Sequence, residues 1–253
     1  MRAAASTSFA FAFAGTALAA STDLSGPNGY DRCLELVKRD PAGASRDAAA
    51  WANRGGGAAA LHCQALAYSA MKRFPEAARA LESAAADTGA GNTPLRAALL
   101  DQAGNAWLLA GDPPRAETAL TSSLALSPRN EDVLFDRARA RGAAKDWTGA
   151  IDDLTAVLAL DPDRADVYVL RASARHAQGK TDAAHADIAH ALAIYPDYPE
   201  ALVERGTMRF EAGDRTGARA DWQEVLREAP DGDAGTAARL RLAHLSASAS
   251  RKK

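Results

Sequence analysis

Residues 131–164, EDVLFDRARARGAAKDWTGAIDDLTAVLALDPDR, are followed without a gap by residues 165–198, ADVYVLRASARHAQGKTDAAHADIAHALAIYPDY. The two stretches have equal length, and each carries a proline three residues before the next stretch begins. Along the chain, proline recurs every 34 residues, at Pro128, Pro162, Pro196 and Pro230. A fixed period of this length is the signature of a repeat array built from helix–turn–helix units.

Other positions recur with the prolines. Position 1 of successive units is Ala97, Glu131, Ala165 and Pro199. Position 8 is then always a very small residue: Gly104, Ala138, Ala172 and Gly206. Position 20 is always alanine: Ala116, Ala150, Ala184 and Ala218. Position 24 is always bulky and apolar: Leu120, Leu154, Ile188 and Trp222. Small residues facing large ones allow two helices to pack closely. Proline at position 32 ends the second helix of each unit, because proline cannot continue a helix.

An earlier and less regular unit begins at Ala58, and five extra residues around Asn92–Arg96 delay the next one. This gives five predicted repeats, at 58–91, 97–130, 131–164, 165–198 and 199–232. The small residues at positions 8 and 20, an aromatic at 11 or 17, and proline at 32 resemble the tetratricopeptide repeat (TPR) family. The resemblance implies an all-α, right-handed α-solenoid of about five repeats. It also implies a protein that binds other proteins or peptides.

The segments on either side of the repeats are predicted to cap the solenoid. Residues 20–57 are predicted to hold a linker and a pair of capping helices, Tyr30–Arg39 and Pro41–Arg54. Residues 233–245 are predicted to form a C-terminal capping helix, with Arg239 and Arg241 facing water. A solenoid needs such caps, because each terminal repeat exposes apolar surface. Residues 246–253 are small, polar and basic, and we expect a disordered tail there.

The first nineteen residues differ from the rest. A single charge, Arg2, precedes the short apolar run Phe9–Leu18, and Ala17-Leu18-Ala19 has the small-x-small pattern of a cleavage site. The pattern predicts a secretory signal peptide over residues 1–19, with a disordered or amphipathic N-terminus as the alternative. The predicted location is the periplasm, and the alternative is extracellular.

Export changes the interpretation of the two cysteines, Cys33 and Cys63. In an oxidising compartment, two cysteines in neighbouring helices favour a disulfide. It would connect the N-terminal pair of helices to the first repeat. The alternative is two buried free thiols that fill space in the core.

Charged residues recur in the last three units. Position 7 is Arg137, Arg171 and Arg205, and position 23 is Asp153, Asp187 and Asp221. Both types are missing from these positions in the first two units, so we predict an ion pair between the two helices of each unit. The alternative is coincidental surface charge. A second arginine series stands at position 11, and we expect its members either to stack or to bridge to carboxylates of the next unit: Arg141, Arg175 and Arg209.

In arrays that resemble TPR proteins, the first helices of the units line a concave groove. The residues predicted to line it here are Asp101, Gln102, Asn105, Phe135, Asp136, Arg139, Val169, Leu170, Ser173, Glu204 and Thr207. Phe135, Val169 and Leu170 are expected to form an apolar centre, and Asp101, Asp136 and Glu204 an acidic rim. The lysine, arginine and asparagine pattern with which some family members grip a peptide C-terminus is not met, because aspartates stand at Asp101 and Asp136.

Composition narrows the function. The chain has 47% hydrophobic and 25% charged residues with a net charge of −2, so no basic patch favours nucleic acid. We expect no cofactor, no metal site and no membrane insertion of the mature chain, and no catalytic arrangement is recognisable. The predicted function is a non-enzymatic periplasmic scaffold for an unidentified protein or peptide. The alternatives are a structural subunit of an envelope assembly that uses its convex face or caps, and an enzyme or small-molecule binder.

Overall fold

The structure, a computed structural model, describes residues 23–250 of the chain. The predicted signal peptide and residues 251–253 of the predicted tail lie outside the described residues. Within 23–250, every regular element is helical: thirteen α-helices and one short π-helical segment. The prediction of an all-α fold is therefore confirmed.

The helices follow one another in pairs. The N-terminal elements are α1 (Gly29–Arg39), α2 (Pro41–Trp51) and the π-helical segment Ala52–Gly56. The five pairs are α3 (Gly57–Ala70) with α4 (Phe74–Asp87), α5 (Thr93–Leu109) with α6 (Pro113–Leu126), α7 (Glu131–Ala143) with α8 (Trp147–Leu160), α9 (Ala165–Ala177) with α10 (Thr181–Ile194), and α11 (Pro199–Glu211) with α12 (Arg215–Glu228). The last helix is α13 (Asp233–Ser250). Each helix packs on the next, so the pairs stack into a solenoid.

Small residues facing large ones hold each pair together. The alanines at position 20 are at most 2% exposed, and so are the bulky residues at position 24. The last pair shows why position 8 is small: a Cβ added at Gly206 would lie 2.5 Å from Nε1 of Trp222. The two helices are thus close enough that the tryptophan ring occupies the space of a side chain at Gly206.

The apolar core is divided along the solenoid. The largest cluster of buried residues runs from α3 to α9, with members such as Leu81, Leu120 and Leu154. Smaller clusters join α9 and α10 to α11, and a separate one holds α11, α12 and α13 together around Trp222 and Leu245. The N-terminal helices pack around Leu24 and the cysteines.

The turn inside every pair uses one backbone conformation. Position 15 has φ of +57° to +90° in all five pairs, at Lys72, Gly111, Lys145, Gly179 and Gly213. Glycine adopts this left-handed conformation at little cost, whereas a lysine is strained by its Cβ. Lysine replaces glycine at Lys72 and Lys145, and the backbone follows the same path at both positions.

Two helix boundaries differ from those expected. Helix α5 begins at Thr93 rather than at Ala97, because Asn92 caps it by accepting a hydrogen bond from the Leu95 amide at 3.3 Å. The extra residues between the first two repeats therefore lengthen a helix. Helix α2 ends at Trp51 rather than at Arg54, because the chain continues as the π-helical segment Ala52–Gly56, in which Arg54 and Gly55 leave helical geometry with φ of −97° and +87°.

The expected disordered tail is wrong for residues 246–250, which continue helix α13 to Ser250. No glycine or proline stands there to end the helix, and the Ser246 hydroxyl donates to the Leu242 carbonyl at 3.0 Å. The two arginines of α13 that were expected to face water also form hydrogen bonds within the protein. Nε of Arg241 donates to the hydroxyl oxygen of Thr207 at 2.8 Å, and Nη1 of Arg239 donates to the Pro230 carbonyl at 2.6 Å.

Candidate functional site

The arginines and aspartates of the last three repeats meet in the structure. Nη2 of Arg137 lies 2.7 Å from Asp153, Nη2 of Arg171 lies 2.8 Å from Asp187, and Nη2 of Arg205 lies 2.7 Å from Asp221. In each pair Nε of the arginine also donates to the carboxylate, so the contact is bidentate. The aspartates are at most 4% exposed. Each pair therefore fixes the register of the two helices of its repeat.

The second arginine of each repeat binds the same aspartate. Nη1 of Arg141 donates to Asp153 at 2.9 Å, and Arg175 and Arg209 donate to Asp187 and Asp221. The expected alternatives were stacking and a bridge to carboxylates of the next unit; each arginine instead binds the aspartate of its own unit, and Arg141 also binds Glu117 of the preceding unit. The spacing of four residues puts both arginines of a repeat on one face of its first helix, and that signal could have revealed the arrangement. We call each set of one aspartate between two arginines a triad.

Cys33 of α1 and Cys63 of α3 form a disulfide in the structure, with 6.1 Å between their Cα atoms. That separation suits a disulfide without movement of the backbone. Both residues are fully buried beside Leu24 and Ala48. The bond joins the N-terminal helices to the first helix of the repeat array.

Four of the residues predicted to line the groove form one polar network between α5 and α7. Nδ2 of Asn105 donates to Asp136 at 2.5 Å, and it also lies 3.5 Å from the Asp101 carboxylate. Nη1 of Arg139 donates to the other oxygen of Asp136 at 2.9 Å. With two aspartates, one arginine and one amide, the network carries a net negative charge.

The pKa of Asp101 is raised to about 6, first by burial of its carboxyl group and then by the negative charges of Asp136 and Asp132. Burial disfavours the charged form of a carboxyl group, and nearby like charge acts in the same direction. A cationic group placed beside Asp101 would have the opposite effect. The carboxyl group is thus suited to respond to a positively charged ligand.

Gln102 belongs to a different group of contacts, towards the N-terminus. Its Oε1 lies 2.9 Å from Nε2 of His62, and Nδ1 of the same ring lies 2.6 Å from the Tyr30 hydroxyl. The chain of contacts connects α1, α3 and α5. Position 62 was not among the predicted groove residues, although it holds the same place in its repeat as Asp101 does in the next.

The three apolar residues do not form one cluster, which corrects the expected apolar centre. Phe135 packs on the main core and lies under the guanidinium of Arg164, 5.1 Å from its ring centre. Val169 packs against the clusters between α9 and α11. Leu170 packs on the main core and lines an open pocket. Val169 and Leu170 are adjacent on α9, so their side chains point in different directions, and the packing of neighbouring helices decides which one is covered.

The pocket at Leu170 lies between α7, α8 and α9 and has a volume of about 290 Å³. Its walls are mostly apolar and include the Trp147 ring, while Arg139 and Ser173 stand among its lining residues. Arg139 in turn binds Asp136. The pocket therefore adjoins the acidic network directly, and an apolar side chain held in it would have carboxylates nearby.

The remaining groove residues lie towards the C-terminus. Glu204 is 3.8 Å from Nδ1 of His176, whose Nε2 is 2.8 Å from Glu211. The Thr207 hydroxyl oxygen accepts a hydrogen bond from Arg241 of α13. The predicted groove is thus open around α5, α7 and α9 and covered in part by the last helix.

Within residues 23–250, no group of three or more His, Cys, Asp or Glu side chains is placed to hold a metal ion. None of the helices that the structure describes is long and apolar enough to cross a membrane.

Family models and solved structures give the context of this geometry. Two models, both described as tetratricopeptide repeat, match residues 142–205 and residues 200–232. No curated protein sequence matches the chain. TPR proteins are in general scaffolds that bind proteins or peptides.

Several solved structures share the fold. MamA (residues 41 to the end) from Desulfovibrio magneticus RS-1 has a TM-score of 0.59 and 21% identity, covering 67% of this chain and 93% of that one. TTC0263, a thermophilic TPR protein from Thermus thermophilus, has a TM-score of 0.58 and 19% identity, covering 75% and 98%. YrrB, described as a TPR protein with an unusual peptide-binding site, has a TM-score of 0.58 and 18% identity, covering 69% and 89%. Residues 142–232 therefore match models of the tetratricopeptide repeat family, and the solved structures share the solenoid fold.

Proposed function

We propose that this protein is a non-enzymatic scaffold that binds a protein or peptide through the groove formed by α5, α7 and α9. The observation that carries the proposal is the apolar pocket at Leu170 and Trp147 beside the acidic network of Asp101 and Asp136. A pocket for one apolar side chain, with negative charge next to it, is the arrangement that a groove-binding peptide requires.

The ligand that fits is a segment with one hydrophobic anchor followed by lysine or arginine. The anchor gains about 1.5–3 kcal/mol by leaving water for the pocket. The basic residue meets Asp136, and its charge favours the ionised form of Asp101. The acidic surface also speeds the encounter with a basic partner. The expected affinity is about micromolar, which is typical of contacts of this size.

We further propose that the protein acts in the periplasm. The sequence of residues 1–19 supports export, and a disulfide between Cys33 and Cys63 suits an oxidising compartment. N-terminal sequencing of protein recovered from the producing cell tests this directly. A mature chain that begins near Ala20 or Ser21 is expected, and an intact terminus in a cytoplasmic fraction would contradict export.

Selection from a random peptide library on the mature chain tests the groove. The selected peptides are expected to share an apolar residue next to Lys or Arg, and their binding is expected to weaken in high salt. The variant Leu170→Ser should lower their affinity about tenfold or more, because the pocket loses its apolar wall. Asp136→Asn should lower it for the basic peptides as well.

Leu240→Ser provides the matched control. Leu240 is 68% exposed on α13, so this variant removes the same side chain from a site outside the groove. Equal binding by wild type and Leu170→Ser would move the binding surface to the convex face or the caps, and weaker binding by Leu240→Ser would then indicate the C-terminal cap. That result would favour the alternative, a structural subunit of an envelope assembly.

A further inference from the structure

A second concave surface lies between α10 and α11, and it shares no residue with the groove. It has a volume of about 530 Å³, and it is lined by His185, Ile188, Ala189, Leu192, Ala193, Arg205 and Arg209. Two of these residues are the arginines of the last triad. We call this surface the α10–α11 cleft.

The corresponding junctions between earlier repeats are closed by hydrogen bonds from the first arginine. Nη1 of Arg137 donates to the Thr121 hydroxyl at 3.4 Å, and Nη1 of Arg171 donates to the Thr155 hydroxyl at 3.1 Å. Each threonine precedes its arginine by 16 residues. The residue at the same distance before Arg205 is Ala189, whose methyl group accepts no hydrogen bond. Nη1 of Arg205 therefore lacks the acceptor that its counterparts have.

The second arginine has an additional partner in the first triad. Nε of Arg141 donates to Glu117 at 2.9 Å, and Glu117 precedes it by 24 residues. The residue at the same distance is Ile151 before Arg175 and His185 before Arg209, so neither has this carboxylate. Side chains of the last triad are more open than those of the other two: Arg205 and Arg209 are 33% and 36% exposed, against 12–22% for the four arginines of the other triads.

The charge of the cleft follows from the triad. Two guanidinium groups share the single carboxylate of Asp221, which leaves one excess positive charge with N–H donors towards the cleft. Guanidinium groups bind carboxylates in a planar, paired geometry. Apart from His185, the α10 side of the cleft is apolar, with Leu192 half-buried and Ala189 and Ala193 exposed.

From this geometry we infer that the α10–α11 cleft binds an acidic peptide segment. An aspartate or glutamate of the segment meets Arg205 and Arg209, and a neighbouring apolar side chain lies on Leu192. The cleft selects the opposite charge from the groove, so one scaffold holds a basic and an acidic segment on separate surfaces. The inference does not depend on the function proposed for the groove.

A fluorescein-labelled peptide that alternates Leu and Glu is the probe, and fluorescence anisotropy with the full mature chain is the measurement. The paired variant His185→Glu with Ala189→Thr gives α10 the residue types that Glu117 and Thr121 provide at the junction of α6 and α7, and it leaves the buried triad intact. We expect this variant to bind the peptide at least tenfold more weakly than wild type. A peptide with Gln in place of Glu should not bind.

Ala159→Glu is the matched control. Ala159 is exposed on α8, one period of 34 residues before the cleft residue Ala193, so this variant adds one negative charge at the place equivalent to Ala193 in the junction of α8 and α9. Binding by Ala159→Glu should equal that of wild type. The inference is overturned if the paired variant binds as wild type does, if the Glu and Gln peptides bind equally, or if neither binds. A further control is a peptide that alternates Ser and Glu. The inference is also overturned if this peptide binds as tightly as the Leu and Glu peptide and millimolar phosphate displaces both. The cleft would then recognise any anion.

Discussion

The first two repeats, α3–α6, and the last three, α7–α12, build the same helix pair in two different ways. Each of the last three encloses a buried aspartate between two arginines. The first two have alanine in place of that aspartate, and they carry Tyr68 and Trp107 in place of the second arginine. Trp107 is 2% exposed, and its Nε1 donates to Glu82 at 2.7 Å. The positions of the small and bulky residues that bring the helices together are the same in both regions. The fold is therefore compatible with either a buried aromatic residue or a triad at the interface of the two helices.

The two arrangements differ in how much stability is lost when one of their residues is removed. An aromatic ring gains stability from burial alone, whereas a buried carboxylate must be matched by its arginines to offset its lost hydration. Removing one member of a triad should therefore cost more than removing a comparable contact from the first two repeats.

The largest effect is expected from Asp187→Ala. This change leaves Arg171 and Arg175 in a site that excludes most water, and it should lower the free energy of unfolding by about 3–5 kcal/mol. Urea denaturation followed by circular dichroism measures the loss. Asp152→Ala, at an exposed position on α8, is the control and should change stability by less than about 0.5 kcal/mol. Equal effects of the two changes would show that the triads contribute nothing specific.

Replacing all three members of that triad by leucine sharpens the same comparison. Without a charge left to solvate, the triple variant should be more stable than Asp187→Ala, although it removes more side chains. A triple variant that is less stable than the single one would mean that the triads stabilise the last repeats beyond what apolar packing supplies.

The disulfide is the next largest contribution, and it belongs to the N-terminal region. Closing 30 residues of chain should contribute about 3 kcal/mol, so Cys33→Ser with Cys63→Ser should lose that amount. Hydrogen exchange should accelerate in α1–α3 and stay unchanged in α9–α12, because a solenoid transmits damage to neighbouring repeats only. Reductant should weaken the wild type and leave the double variant unaffected. Exchange that rises equally along the whole chain would contradict this view.

A smaller effect is expected from Asp101→Asn, at the junction between the two regions. Because folding raises the pKa of Asp101 from 3.8 to about 6, the folded chain favours the protonated form. The wild type therefore loses stability as pH rises from about 4 to 6, and the variant should not. Allowing for solvent screening, the variant should be about 1 kcal/mol more stable at pH 7 and equal at pH 4. A difference that persists at pH 4 would rule out titration of this carboxyl group as its cause.

The smallest effect is expected at the turn of the third repeat. Lys145 has φ of +63°, and Lys145→Gly should raise stability by about 0.5–1 kcal/mol by removing the strain of its Cβ. Lys72→Gly should do the same in the first repeat, while Gly179→Ala, where φ is +75°, should lower stability. Thermal denaturation of the three variants checks whether the turn is equivalent in both regions. A destabilising Lys145→Gly would mean that the lysine side chain has a role of its own.

The regular period made the solenoid predictable from sequence, since the positions that recur are the ones that pack. The disordered tail and the start of α5 were misjudged for the opposite reason: no repeated residue marks them, and a local cap or an unbroken run of helix formers decides each boundary. The polar network of the groove involves residues of adjacent helices 31 positions apart, such as Asn105 and Asp136. Which of Phe135, Val169 and Leu170 remains open depends on neighbouring side chains such as Arg164, and no pattern within one helix specifies it.

The division of the apolar core has a mechanical consequence. Because the cluster around Trp222 and Leu245 is separate from the cluster that spans α3–α9, the chain resists tension unevenly. Pulled at its C-terminus, the molecule should yield first as a block of α11–α13 and then lengthen in steps of about one repeat. The disulfide at the other end would leave the last step shortened by the residues that it encloses. The solenoid would thus extend more easily from its C-terminus than from its N-terminus, where the disulfide limits extension.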